Sequence, residues 1–467
     1  MKSRVIVLIF LIAIFVAWIA AGFWAYLPEK GGGSSAGGGT SPPSHDLEQS
    51  LPPETTPGSG ANPDNSDTPL PTPKETPEQI ADRREAMLKQ AEALYLGYFY
   101  DEALSLLRED EKLINDDTEH LEAKIEDARE SLVLYTGEIR HIFFHSAIIY
   151  PERLERDGWR IGATEKTGFP NSRMPTQSEV YKMLPQLMER GYVLYDITDV
   201  FSKGADGKMR QNDIYLPPGK MPLLVSFDDP SYHYNRARNI GFADRLVLDE
   251  NGDVATEVTT PSGENIITND GDVFLIIDNF VNENPEFSWR GAKGVIASTG
   301  YIGVFGYDVE ENPDTIPIAT AIADKIKENG WKFASHSFTH NTGVNTSRGV
   351  FWGPGSNPEA IRYDTRRWNE VVRPILGKTN IFIAPGGYVL PTASMQVLID
   401  DGYDIYCSVA IDTSTGAQPL DIRDDIIVQG RLEIAGYAYT YWSDILDRDF
   451  FIVAEVIDPL RPPALPD

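Results

Sequence analysis

Cysteine is almost missing: Cys407 is the only one in 467 residues. That excludes an intramolecular disulfide framework and any multi-cysteine zinc or iron–sulfur centre. Basic residues are also short, with 41 Lys and Arg against 70 Asp and Glu and a formal net charge of -29. A chain so acidic is not a nucleic-acid binder, because phosphate backbones are held by lysine and arginine. Histidine is scarce as well, at seven, so a metal here must take His and carboxylate ligands from few positions. The length suits two or three domains and a sizeable core.

One long apolar run is present. Val5 to Leu27 carries no charge, enough to cross a bilayer. Its large aliphatic and phenylalanine residues between Val5 and Val16 favour insertion by roughly 3–6 kcal/mol together. Lys2 and Arg4 precede it, so residues 1–30 read as a membrane anchor with a cytoplasmic N-terminus and everything after Glu29 outside. A cleaved signal peptide, giving a secreted protein, is the alternative. Residues 31–75 are rich in Gly, Ser and Pro with little apolar content and read as a disordered tether. His45 lies in it as a solvated residue.

Order is expected from Thr76, where "TPEQ" makes a capping box with Pro77 at the first helical position. Helices follow to Gly97, where "GYFYDEALSLL" breaks and restarts as a second one, and from about Thr118 to Tyr135, closed by Gly137, with His120 exposed. The stretch 76–137 is weakly tetratricopeptide-like and reads as a helical spacer packed on the next domain; a protein partner is the other use for it. From Ile139 strands and helices alternate to the end, which predicts a parallel α/β sheet or barrel over 138–467. A β-hairpin turning at Glu250–Gly252 sits in an insertion spanning about 231–293.

In such folds chemistry gathers at the C-terminal ends of strands. "LLVSFDD" ends on Asp228 and Asp229, two adjacent carboxylates whose repulsion a metal or hydrogen bonds must offset. "FASHSFTH" carries His336 and His340, four apart, so a helical turn places both imidazoles on one face. Two imidazoles and a carboxylate suit Zn²⁺; two structural histidines are the plain alternative. "IFIAPGG" makes a tight turn whose backbone N–H groups can face a developing oxyanion, or only a turn. "IRHIFFH" is an apolar strand ending on His145, which by itself reads as a satisfied strand-end histidine.

Taken in order, "SFDD", "HSFTH" and "APGG" resemble the polysaccharide deacetylase (NodB-homology, carbohydrate esterase family 4) motifs over about 139–450. The resemblance implies a distorted (β/α) barrel, Asp228 as general base, and a divalent metal, zinc, on Asp229, His336 and His340. It also implies the N–H of Gly386 as oxyanion donor. Pro230 stands for the motif's glycine, Ile383 roughly for an arginine that holds the base, and no histidine follows His340 to act as the acid. The order is similar to that of circularly permuted poly-N-acetylglucosamine deacetylases, whose acid-bearing strand comes first. That implies His145 as general acid, and Arg431 of "VQGRLEI" is the candidate to replace the missing arginine. His141 and His233 have no role assigned. The implied activity is hydrolysis of acetamides on an N-acetylglucosamine-containing polysaccharide. A degenerate glycan-binding protein and a metal-dependent amidohydrolase on a non-sugar amide are the alternatives. Aromatic residues of the insertion, Trp289 among them, either stack on sugar rings or pack the insertion.

Overall fold

The computed structural model describes residues 75–154, 169–232, 241–342, 344–345 and 349–461. The anchor, nearly all of the tether with His45, and His233 lie outside the described residues. Among the described residues no helix is long and apolar enough to cross a membrane.

Three helices come first: α1 (Pro77–Leu96), α2 (Tyr100–Leu107) and α3 (Asp116–Glu130). The Thr76–Gln79 capping box and Pro77 start α1 as expected. The third helix departs from expectation at both ends. Asn115 caps it in a box with Thr118, and it stops at Glu130 because Val133–Leu134 pair antiparallel with Tyr215–Leu216 instead. This helical layer packs on the barrel domain through Tyr98, whose hydroxyl donates to the Glu286 carbonyl at 2.8 Å. The Trp289 ring lies 4.8 Å from that of Tyr98 and 6.0 Å from that of Tyr195. Trp289 therefore packs the helical layer and is spent on that contact, not on a sugar groove.

The strands that build the barrel and its insertion are, in chain order, β1 (Arg140–Phe144), β2 (Tyr192–Leu194), β3 (Met221–Asp228), β4 (Arg245–Leu248), β5 (Val254–Thr259) and β6 (Asn265–Thr268). They continue with β7 (Gly294–Ser298), β8 (Trp331–Ser335), β9 (Ile381–Ile383), β10 (Ile405–Val409) and β11 (Ile427–Glu433). Strands β1, β3, β7, β8, β9, β10 and β11 pair in parallel in that order, and β11 returns to β1. The barrel is closed. Strand β2 pairs in parallel with the first residues of β3, Met221–Leu223, and β7 with its last. The crossovers are α4 (Gln177–Glu189), α5 (Val273–Glu283), α6 (Ile316–Glu328), α7 (Pro358–Val371) and α8 (Thr392–Asp400).

The predicted hairpin exists as β4 and β5, with β6 added as a third antiparallel strand. The inserted stretch is not uniform, however. Helix α5 is buried along most of its length and belongs to the barrel's helical layer.

Strand side chains alternate between two cores. Ile142, Phe144, Leu223, Val225, Phe227 and Ile296 face the helices. Leu224, Val295, Ala334, Ile381, Ile405 and Ile427 fill the barrel. Towards the C-terminal ends the same inward column turns polar: Ser226, Asp228, Gln429, Arg431 and Glu433 are all buried, with His141 buried near the start of β1. That change of character, within a continuous inner face, is where the site begins.

Candidate active site

Asp228 is the last residue of β3 and is almost fully buried. Arg431, on β11, meets it in a bidentate pair: one terminal nitrogen donates to Oδ1 at 2.9 Å, the other to Oδ2 at 3.0 Å. The first also donates to Ser226 Oγ at 2.8 Å, and the guanidinium carbon lies 4.1 Å from the Phe143 ring centroid. Burial works against the Asp228 charge, but Arg431 and then His336 hold its pKa below the usual carboxylate value. The guanidinium expected from Arg431 beside Asp228 is therefore in contact with it. Ile383 itself fills the barrel. Beneath the pair, His141 lies 3.0 Å from Ser226 Oγ and 3.2 Å from Gln429 Oε1. Burial, then Arg431, push its pKa down to about 3, so it is a neutral lining residue.

Asp229, His336 and His340 bring one potential ligand atom each to within 4.8 Å of one another. Asp229 Oδ1 is 3.9 Å from His336 Nε2, and Oδ2 is 3.7 Å from His340 Nε2. The convergence does not come from a helical turn, which the spacing predicts. Residues 336–340 are a non-helical loop beyond β8, in which Ser337 and His340 have φ of 63° and 48°. Asp229 has φ of 62°, and its carboxylate and that of Asp228 both face His336 Nε2, at 3.9 and 4.0 Å. Three non-glycine residues in this sparsely populated region, at one site, are a strained arrangement that the surroundings must hold in place.

Some of what holds it is visible. The Ile383 carbonyl accepts from His336 Nδ1 at 2.8 Å, which fixes the tautomer and turns the lone pair of Nε2 towards Asp229. The buried Asp364 of α7 accepts from the N–H groups of Phe338 and Thr339 at 2.6 and 2.9 Å. Nothing in the motif spacing points to Asp364; its only signal is a carboxylate on the buried face of an amphipathic helix. Asp364→Ala is expected to weaken the affinity of this cluster for a divalent cation by about 10–100-fold, read by competition with a chromogenic chelator. An unchanged affinity would mean that the loop holds its own shape.

His145 lies just past β1. Phe144 pairs with Phe227 across β1 and β3, so His145 stands level with Asp228 on the neighbouring strand. Its Nδ1 is 3.1 Å from Glu433 Oε1 and 3.2 Å from the Arg173 carbonyl. Glu433 in turn pairs with the Arg173 guanidinium. Burial opposes a charged His145, but Glu433 first, then the charges of Asp228 and Asp229, outweigh it and leave the pKa raised. Neither Glu433 nor Arg173 stands out in the motifs of the sequence. A signal for Glu433 is nonetheless there: polar residues at 429, 431 and 433 on an otherwise apolar strand mark a polar inner face.

Gly386 occupies the turn Pro385–Gly387 after β9 with φ of 63°. A Cβ there would come within 3.0 Å of Thr342 Cγ2, and one at Gly387 within 2.3 Å of Val409 Cβ. The turn therefore lies against the chain just past His340 and the end of β10, and glycine is what allows that approach.

No family model matches the chain, and no curated protein is similar to it. Solved structures are similar to it at low identity. The Streptococcus pyogenes deacetylase PplD in complex with acetate is 11% identical over 64% of this chain and 93% of that one, with a TM-score of 0.35. A de-N-acetylase from Aggregatibacter actinomycetemcomitans is 14% identical over 64% and 95%, with a TM-score of 0.36. The BpsB deacetylase domain from Bordetella bronchiseptica is 13% identical over 63% and 95%, with a TM-score of 0.33. At such scores the functional reading rests on this chain's own geometry.

Proposed function

We propose that the protein is a metal-dependent N-deacetylase that hydrolyses acetamide groups of an N-acetylglucosamine-containing polysaccharide. In this reading it is held outside the membrane by its N-terminal segment. One observation carries the proposal. A His–His–Asp cluster is flanked by an arginine-clamped carboxylate, Asp228, and, level with it on the adjacent strand, by a glutamate-paired imidazole, His145.

The cluster fits a divalent cation. Two imidazoles and one carboxylate are a donor set for zinc, and the His336 tautomer fixed by Ile383 is the one that ligation through Nε2 needs. Asp229, His336 and His340 would hold the ion. When bound, it supplies Lewis-acid polarisation of the acetyl carbonyl and a lowered pKa for water. The protein's own groups do the rest. Asp228, kept ionised by Arg431, takes the proton of the attacking water. The Gly386 N–H faces the charge that develops on the carbonyl oxygen. His145, oriented through Nδ1, delivers a proton from Nε2 to the departing amine. Acetate and a free amino sugar are the products.

The test is acetate release by the full-length protein from N-acetylglucosamine oligomers and cell-wall glycan, with zinc and after chelation. Release that depends on zinc and is abolished by Asp228→Asn is the expected result. Tight zinc binding without release from any glycan would overturn the sugar substrate, and a protein that binds no zinc would leave the glycan-binding alternative.

A further inference from the structure

We infer that Arg461, near the C-terminal end of the described chain, is a positioning residue for His145. It acts by locking the short segment 171–174 against the site; the role of His145 as proton donor rests on the deacetylase reading above.

Arg461 forms a buried bidentate pair with Glu179 of α4. Nε donates to Oε1 and one terminal nitrogen to Oε2, both at 2.7 Å, with side chains 3% and 0% exposed. Its remaining donors go to two backbone carbonyls and to Asn171 Oδ1, the last at 3.1 Å. One reaches the Asn171 carbonyl at 2.7 Å, and another the Met174 carbonyl at 2.8 Å. Between those two carbonyls sits Arg173, whose own carbonyl lies against His145 Nδ1 and whose guanidinium pairs with Glu433. The far side of the junction is as tightly held. A Cβ built on Gly436 would lie 1.8 Å from the Asn171 oxygen and 2.8 Å from Arg461, and Gly436 follows three residues after Glu433. Arg461 therefore touches the backbone on both sides of Arg173 and the chain just beyond Glu433.

Stability alone explains this poorly. A buried ion pair is often no better for stability than an apolar pair of the same volume, because desolvation offsets the attraction. What an apolar pair cannot do is satisfy two inward carbonyls and fix the peptide between them. Glu179 also accepts from the Thr176 and Asp458 N–H groups at 2.8 and 3.0 Å, so the arginine is anchored at its other end. The largest charge contributions at His145 come from Glu433, Asp228 and Asp229. Of these only Glu433 depends on the locked segment, through Arg173.

The test uses the zinc-loaded full-length protein with Arg461→Met, Arg461→Lys and Glu179→Gln. The His145 ring is followed by NMR titration, its resonance assigned by its loss in His145→Gln. Arg461→Met is expected to lower kcat roughly ten- to a hundredfold, with KM and zinc affinity little changed. The His145 midpoint should move down, and Arg461→Lys should recover part of both losses. If Arg461→Met does not fold, Glu179→Gln, which releases the anchor, carries the same expectation. A folded variant with the wild-type His145 midpoint and kcat overturns the inference and leaves the deacetylase reading intact. A shifted midpoint in a protein that releases no acetate supports the positioning and removes the chemistry assigned to His145.

Discussion

Arg431→Met is expected to destabilise the protein by about 3–5 kcal/mol and to abolish acetate release. Burial is the reason. Arg431 is 0% exposed and Asp228 2%, so removing the guanidinium leaves a buried carboxylate without water and without its main counter-charge, and that class of loss costs about 3–5 kcal/mol. Methionine keeps the contact with Phe143 and much of the volume, so the effect isolates the charge from the packing. Asp228→Asn combined with Arg431→Met should then be markedly more stable than Arg431→Met alone, because no uncompensated charge remains. Urea denaturation of the four proteins at neutral pH closes the cycle. A double variant no more stable than Arg431→Met would show that the arginine matters through Ser226 and Phe143, not through Asp228. Activity is not expected to return in the double variant, since asparagine takes no proton.

The parts of the site legible in the sequence share a property: each is a short motif at the end of an apolar strand. Asp228 and Asp229, His336 and His340, and Pro385 to Gly387 all follow runs buried on both faces. Their meeting follows from a parallel barrel in which every strand end opens on one side. Arg431 enters only through the resemblance, as the candidate for the arginine absent at Ile383, and its bidentate pair with Asp228 is what the structure adds. The groups that are not legible depend on contacts with no local signal. Glu433 finds Arg173 some 260 positions away and Arg461 finds Glu179 some 282 away, and sequence spacing says nothing about such pairs. For His336 and His340 the spacing predicts convergence for a wrong reason: left-handed residues at 337 and 340, not helical periodicity, make the turn. The third helix ends earlier than its sequence pattern predicts for a related cause. Pairing of Val133–Leu134 with a distant strand overrides the local pattern.

His145→Gln is expected to retain zinc and lose roughly 10²–10⁴-fold in kcat, the usual contribution of a positioned acid. Glu433→Gln makes the sharper test, because it changes when the acid is charged. His145 must carry its proton to serve the leaving amine, so activity falls as pH rises through its folded pKa. That pKa is raised above the ordinary histidine value, with burial opposing and Glu433 the largest group in favour. The alkaline limb of the kcat profile should therefore lie above about pH 6.5 in the wild type. Without the Glu433 charge the main favourable partner is gone while burial remains, and the limb should move down. Stability should follow the same sign. A raised histidine pKa contributes stability that is fully present below about pH 6.5 and lost as pH rises through the folded value. The stability advantage of wild type over His145→Gln should thus shrink on the alkaline side only. Glu433 adds the opposite dependence, since Arg173 and His145 hold its pKa low against burial; its contribution is lost as pH falls through that lowered value, well away from the histidine window. An alkaline limb that stays in place in Glu433→Gln would move the proton donor from His145 to another group, and with it the reading of the strand that begins the barrel.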